Sequence, residues 1–130
     1  MAVKVKVIQV CFPGAVGAGA PILRALAEAK INILAFCGYT MGAEATLTFV
    51  VGPGKEAAAK ELLKKIGCKV ETYDAVWIEV GNKPGTLAKI TEKLAAGKVN
   101  INWAYATASG KKSAIVLIVS SAAKALKALA

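Results

Sequence analysis

An internal repeat constrains this 130-residue chain more than any other feature of its sequence. The tripeptide Ile31-Asn32-Ile33 returns as Val99-Asn100-Ile101, 68 positions later (99 minus 31), and the residues around it align without a gap. At the same displacement Gly17 falls on Gly85, between a predicted strand and a predicted helix in both cases. A repeat of this length predicts one small architecture that is used twice.

Within each repeat, the spacing of apolar residues alternates between the strand period and the helix period. Apolar residues alternate on one phase from Val3 to Val7 and on the opposite phase from Ile8 to Phe12, which predicts a first strand with a bulge or a change of burial near Val7. Ile22 with Leu26 predict an apolar stripe on a following helix. Two more strands, a second helix and a fourth strand follow, separated by glycine-containing turns. This is the ferredoxin-like order, which has antiparallel strands and both helices on one face. We therefore predict an α+β protein built from tandem ferredoxin-like βαββαβ repeats.

The repeats meet where the fourth strand of the first runs into the first strand of the second. We assign residues 1–74 to the first repeat and residues 75–130 to the second, which is truncated because its last strand is missing. The strand Ile115 to Val119 is apolar at every position, so we expect a monomer to leave an apolar face exposed. These features predict self-association, with a homodimer as the simplest form.

Composition excludes several kinds of site. Seventeen basic and eight acidic residues give a net charge of +9, but no block of lysines exceeds two, which favours solvated faces over a nucleic-acid partner. Histidine is absent, which excludes a histidine-dependent triad and a His/Cys zinc site. Cys11, Cys37 and Cys68 lack the paired spacing of metal sites and fit a reducing cytoplasm. We predict no metal site, no cofactor and a cytoplasmic protein.

Two apolar stretches near the N-terminus resemble targeting segments. The run Val7 to Phe12 is too short for the apolar core of a signal peptide. The longer interval Val7 to Leu23 is uncharged, but glycines and prolines interrupt it, so it does not predict a membrane span. We expect no membrane partner.

The segment Asn82 to Leu87 carries the strongest candidate site. Pro84 presets φ for a first helical turn. Gly85 has no side chain to cover the backbone at this helix start, where the N–H groups are unpaired. Such a start favours an anion, for example a carboxylate. Asn82 precedes this helix and Asn100 follows it. Each amide also has an ordinary structural interpretation, as a turn residue or a partner for the backbone, and both interpretations remain open.

The motif Asn82-Lys83-Pro84-Gly85-Thr86-Leu87, followed by Ile90, Leu94-Ala95 and Val99-Asn100-Ile101, resembles the signature of the ACT domain, a small regulatory module attached to many enzymes of amino-acid metabolism. The resemblance spans the second repeat and, more weakly, the first, so the chain is similar to stand-alone tandem ACT proteins. It implies a ferredoxin-like fold, side-by-side pairing of domains and an amino acid bound at the pairing interface. By this resemblance Asn82, Gly85 and Asn100 hold the amine and carboxylate of the ligand, with Thr86, Leu87 and Ile101 nearby.

The first repeat departs from this motif. Gly14 stands at the position of Asn82 and Gly17 at that of Gly85, while Asn32 is retained at the position of Asn100. The resemblance therefore places a second, altered site at Gly14, Gly17 and Asn32. In both repeats a lysine precedes the second strand where the family usually has glycine.

Two functions from other classes remain open. The loop Gly14 to Gly19 lies between a strand and a helix, as phosphate-binding loops do, but it lacks a following Lys-Ser or Lys-Thr pair and the dinucleotide spacing. An RNA-recognition module has this strand order and suits a basic chain, yet it needs aromatic residues on its central strands, where Phe49 stands alone.

We therefore predict a regulatory or sensor protein that is not an enzyme and that binds a small amino acid or related metabolite at ACT-type interfaces. It would act by allosteric regulation, as a homodimer, with a regulated enzyme as a candidate partner. The alternatives are a basic ferredoxin-like nucleic-acid-binding module and an anion- or nucleotide-binding protein that uses the loop Gly14 to Gly19.

Overall fold

The computed structural model describes residues 2–130, which form six strands and four helices. In chain order these are β1 (Ala2–Pro13), α1 (Ala20–Glu28), β2 (Ile33–Met41), β3 (Glu44–Val51), α2 (Glu56–Lys65), β4 (Lys69–Gly81), α3 (Thr86–Ala96), β5 (Ile101–Ser109), β6 (Lys112–Val119) and α4 (Ala122–Leu129). The pairs β1–β3, β2–β3, β4–β6 and β5–β6 are all antiparallel. The predicted α+β class and the βαββαβ order are therefore confirmed.

The chain divides into two compact units. The first unit is Lys6–Tyr73, and the second unit is Asp74–Ala130 together with the N-terminal residues up to Val5. Both divisions fall inside long strands, one in β1 and one in β4, because each of these strands runs on without a turn.

The first unit has a helix-covered core built from both of its helices. Alternate residues of the central strands point into it, and α1 and α2 add Ile22, Leu26, Ala59 and Leu63. Because both helices enter one cluster, they cover the same face of the strands, as the ferredoxin-like order requires. In β1, adjacent Val7 and Ile8 are both fully buried. This confirms the predicted change of burial near Val7.

The second unit is built the same way from α3 and α4, with Ile90, Leu94 and Ala125 in its core. Its N-terminal segment lies beside β4, since Ala2 packs against this core and the Lys4 Nζ is 3.5 Å from the Asp74 Oδ2. In sequence, residues 75–130 end without a fourth strand. In the structure, the start of β1 lies where a ferredoxin-like fold has its fourth strand, next to the first.

The apolar strand β6 is covered within the single chain. Every residue from Ile115 to Val119 is buried, with an exposed fraction of 7% or less. The expectation that this strand would leave an exposed apolar face in a monomer is wrong. Large exposed apolar side chains lie instead on β2, where Leu34 is 45%, Phe36 46% and Met41 75% exposed.

Helices α1 and α3 end in the same way, on a lysine with a left-handed backbone. Lys98 has φ 58°, and the N–H groups of Lys98 and Val99 donate to the carbonyls of Ala95 and Leu94. This is a Schellman motif, in which the left-handed position usually holds glycine. Lys30 has φ 59° and the same two bonds at the end of α1.

The variant Lys98→Gly is therefore expected to raise the free energy of unfolding by about 0.5–1 kcal/mol, because glycine removes the Cβ strain and only part of that gain is lost to a more flexible unfolded chain. Urea unfolding measures the change. Lys98→Ala is the matched control, since alanine removes the same charge but keeps the Cβ. If Lys98→Ala stabilises as much as Lys98→Gly, the gain comes from charge and the strain argument is wrong.

Candidate functional site

The segment after β4 is anchored to the hairpin that joins β5 to β6. The Asn82 N–H donates to the Lys111 carbonyl at 2.8 Å, and the Asn82 Nδ2 donates to the Gly110 carbonyl at 3.0 Å. These bonds use the backbone N–H of Asn82 and one N–H of its side-chain amide. Its Oδ1 accepts no hydrogen bond from residues 2–130, so one acceptor remains available beside the loop.

Helix α3 begins at Thr86, two residues later than the sequence predicts. Gly85 has a left-handed backbone with φ 87° and forms the N-cap, and the Thr86 N–H donates to the Lys83 carbonyl at 3.2 Å. Pro84 therefore lies in the turn before the helix and not in its first turn. No side chain of residues 2–130 caps the N–H groups at this helix start, which leaves a weakly positive end that favours an anion.

A cavity of about 200 Å³, here called the loop cavity, lies against this segment. Four of the predicted site residues line it, namely Asn82, Lys83, Thr86 and Leu87, together with Ala106, Ser113 and Ile115 from the neighbouring strands. Leu87 is 49% exposed, although it precedes the buried Ile90 and Leu94 at helical spacing, so its side chain is available at the edge of the cavity. Pro84 and Gly85 border a second cavity described below.

The structure does not bring Asn100 and Ile101 to this cavity. The Asn100 N–H donates to the Ser120 Oγ at 3.0 Å, and the Asn100 Nδ2 donates to the Asn102 Oδ1 at 2.9 Å. Ile101 pairs with Val119 at one end of the β5–β6 ladder, whereas Asn82 is bonded to the hairpin at the other end. That ladder is on the order of 25 Å long. Within one chain, the two asparagines therefore cannot contact one small ligand.

The three predicted residues of the first repeat are also separated. The Gly14 N–H donates to the Ala43 carbonyl at 2.8 Å, and Gly17 has a left-handed backbone with φ 78° near the start of α1. Asn32 lies after α1, where its carbonyl accepts from the Gly52 N–H at 2.9 Å. Gly17 borders a shallow depression along α1, but Gly14 and Asn32 do not. No amide side chain stands in this loop at the place that Asn82 has in the second unit.

The structure also bears on a cysteine nucleophile, a metal site and a membrane-spanning helix. Burial raises the pKa of the Cys68 thiol, which lowers its thiolate fraction, whereas an activated nucleophile has a lowered pKa. Among residues 2–130, His, Cys, Asp and Glu side chains nowhere form a group of three that could hold a metal ion. None of the helices in this part of the chain has the length and apolar character to cross a membrane.

Sequence reasoning missed a larger cavity of about 460 Å³ in the second unit, which includes Lys89 and Lys93 from α3. The signal was present, because these lysines are four residues apart and so share a helix face, and Lys83 precedes the same helix. A count of charges along the chain does not show that all three border one cavity.

Comparison with solved structures shows the fold. Protein BT0572 from Bacteroides thetaiotaomicron superposes with a TM-score of 0.88 and 27% sequence identity, covering 98% of this chain and 88% of that chain. The regulatory subunit of aspartate kinase from Thermus thermophilus superposes with a TM-score of 0.75 at 19% identity, covering 99% and 93%. A structure of aspartokinase alpha and beta subunits gives 0.73 at 22% identity, covering 98% and 93%.

No protein-family model matches the chain, and no curated protein matches it in sequence. The structural likeness establishes a fold shared with a regulatory subunit of aspartate kinase and with aspartokinase subunits. It agrees with the ACT-like fold that the sequence resemblance implies.

Proposed function

We propose that this chain is a non-catalytic regulatory protein of the tandem ACT type, which binds a small amino acid or a related metabolite at the loop cavity. The observation that carries the proposal is that Asn82, Lys83 and Thr86 line one cavity beside a helix start that no side chain caps. The shared fold with regulatory subunits of aspartate kinase supports the regulatory role. We place the protein in a reducing cytoplasm, since its cysteines are free.

An α-amino acid fits the polar groups of this cavity. Its carboxylate would be attracted by the N–H groups at the start of α3 and by the Lys83 ammonium. Its own ammonium needs an acceptor, and the Asn82 Oδ1 is one that residues 2–130 leave free. Leu87 and Ile115 offer apolar contact to a side chain. At about 200 Å³ the cavity suits a small ligand, because drug-sized ligands occupy roughly 300–1,000 Å³.

A role for Asn100 in the same site requires a second copy of the chain. Asn82 and Asn100 lie at opposite ends of the β5–β6 ladder, so we propose that a homodimer places Asn100 of one copy near Asn82 of the other. The exposed apolar side chains of β2 supply a surface that self-association would cover. An ACT-type module of this kind would transmit ligand binding to an enzyme partner through a change in pairing.

The proposal also covers the altered site of the first repeat, where the groups that would bind a ligand are fewer. Gly14 leaves no amide oxygen for a ligand ammonium, and Asn32 lies at the far end of α1. We therefore expect one binding site per chain, in the second unit, and a weaker or absent site at Gly14 and Gly17.

A thermal-shift screen of the twenty amino acids tests the function, with a short RNA and ATP in parallel. A ligand present at 100 times its Kd is expected to stabilise the protein by about 2.7 kcal/mol. Stabilisation by one or a few amino acids is the expected result. Stabilisation by RNA or ATP with no response to any amino acid would contradict the proposal and favour a nucleic-acid or nucleotide function.

A further inference from the structure

The larger cavity of the second unit has a distinct chemical character. We call it the lysine cavity, since Lys83, Lys89 and Lys93 border it. It shares Val80, Gly81, Lys83 and Thr86 with the loop cavity but extends along α3 to Leu129 at the end of α4. Its volume of about 460 Å³ lies in the range of small-molecule sites, roughly 300–1,000 Å³.

The wall of the lysine cavity combines apolar side chains with unneutralised positive charge. Ile78, Val80 and Ile90 contribute apolar surface, and no side-chain carboxylate of the described part of the chain, residues 2–130, lines the cavity. The second unit has three acidic residues, of which Asp74 pairs with Lys4 and Glu79 accepts a bond from the Trp77 Nε1. The third, Glu92, lies on α3 but outside the cavity lining.

The three cavity lysines have no ion-pair partner among residues 2–130. Lys89 and Lys93 are one helical turn apart, and like charges at this spacing destabilise a helix. The positive end of the α3 dipole, at Gly85 and Thr86, borders the same cavity and adds to the unfavourable charge. A bound anion would relieve all of these repulsions at once.

The fold does not require these lysines. At positions 68 residues earlier, which lie in the corresponding loop and helix of the first unit, Ala15, Pro21 and Ala25 stand in place of Lys83, Lys89 and Lys93. The same architecture therefore forms without any of the three charges. Their convergence on one cavity is a property of the second unit alone.

We propose that the lysine cavity binds a small organic anion that carries two negative charges and an apolar body, such as a phosphate monoester or a dicarboxylate. The charges lie against the lysines and the start of α3, and the apolar body lies against Ile78, Val80 and Ile90. This site adjoins the amino-acid site and is distinguished from it by Lys89 and Lys93, which line only the lysine cavity, whereas Asn82 and Leu87 line only the loop cavity.

Isothermal titration calorimetry of the full chain tests the site with three probes: phenyl phosphate, glutarate and uncharged benzyl alcohol. We expect at least one of the two dianions to bind at millimolar concentration or below and benzyl alcohol not to bind. The probe that binds identifies the anion class, a phosphate ester or a dicarboxylate. The double variant Lys89→Gln with Lys93→Gln should weaken its binding by about tenfold.

The matched control is Lys124→Gln with Lys127→Gln on α4, which removes the same charge outside the cavity lining. This control should change the affinity by less than about twofold. Equal losses of affinity in both double variants would show that net charge alone causes the effect, and would overturn the site. Failure of both dianions to bind would overturn it as well. Binding of a short RNA without either dianion would overturn it too. Amino-acid binding should persist in both variants, so the failure of this site is distinguishable from the failure of the proposed function.

Discussion

Asn82→Ala is expected to weaken amino-acid binding by roughly ten- to a hundredfold, because a lost hydrogen bond to a charged group costs about 1.5–3 kcal/mol. The Asn82 Oδ1 is the free acceptor beside the start of α3, while its Nδ2 is bonded to the Gly110 carbonyl. Side-chain substitutions leave in place the backbone N–H groups that hold the ligand carboxylate, so, of the ligand contacts, Asn82→Ala removes only the one to the ligand ammonium. Calorimetry with the best amino acid of the screen measures the loss.

Asn82→Asp distinguishes the loss of the ammonium contact from a loosening of the loop as the cause of weaker binding. Aspartate keeps an acceptor for the ammonium but loses the donor to Gly110, so ligand affinity should be retained if the acceptor matters. Equal loss in Asn82→Ala and Asn82→Asp would attribute the effect to loop anchoring. Asn32→Ala is the matched control in the first unit, where Gly14 replaces the expected partner, and it should change the affinity by much less. If Asn82→Ala binds as tightly as the unmodified protein, the site assignment is wrong.

Asn100→Ala should weaken amino-acid binding to a similar extent only if the site is shared between the two chains of a homodimer. Neither variant alone then has an intact site, but a dimer of one Asn82→Ala chain and one Asn100→Ala chain has one site with both amides present. Random mixing of the two proteins should restore about a quarter of the sites to high affinity, because half of the dimers are mixed and each has two sites. No recovery on mixing would exclude a site shared between copies in this way.

Leu94→Ala is expected to lower the free energy of unfolding by about 2–5 kcal/mol, through lost apolar burial and the cavity left behind. Leu94 is fully buried in the core of the second unit, and its carbonyl accepts the Val99 N–H at the end of α3. The substitution leaves that backbone bond in place, so the loss reports side-chain packing. Urea unfolding followed by circular dichroism measures the change.

Leu34→Ala provides the control, since Leu34 is 45% exposed on β2. We expect it to change stability by about 0.5 kcal/mol or less, as substitutions at exposed positions usually do. A loss of less than about 1 kcal/mol for Leu94→Ala would show that the α3 face is not packed as the structure has it.

Local sequence patterns were sufficient to predict the order of the elements. Apolar residues at helix spacing, such as Ile90 and Leu94, are buried on α3, and the alternating residues of β1 form the core face of the first unit. These predictions succeed because burial acts on each segment through its own periodicity. Element boundaries were less certain, since the left-handed conformation of Gly85 ends the turn and delays the start of α3 to Thr86.

The candidate site was predictable only in part. The neighbours Asn82, Lys83, Thr86 and Leu87 are close in sequence, and they line one cavity because a short loop and one helical turn keep them together. Asn100 follows the same helix but lies at the other end of the β5–β6 ladder. The motif pairs Asn82 with Asn100 because they flank one helix, yet the length of that helix separates them in space.

The sequence by itself determined the α+β class, the βαββαβ order and the apolar faces, because these depend on contacts within a segment or between neighbouring segments. Only the tertiary structure decided which distant residues meet: the N-terminal residues beside β4, the cover over Ile115 to Val119, and the three lysines around one cavity. Such contacts depend on how the strands are ordered and on which side chains fill the space between elements. No local periodicity carries that information, since a lysine on a solvated face and a lysine at a cavity have the same spacing along the chain.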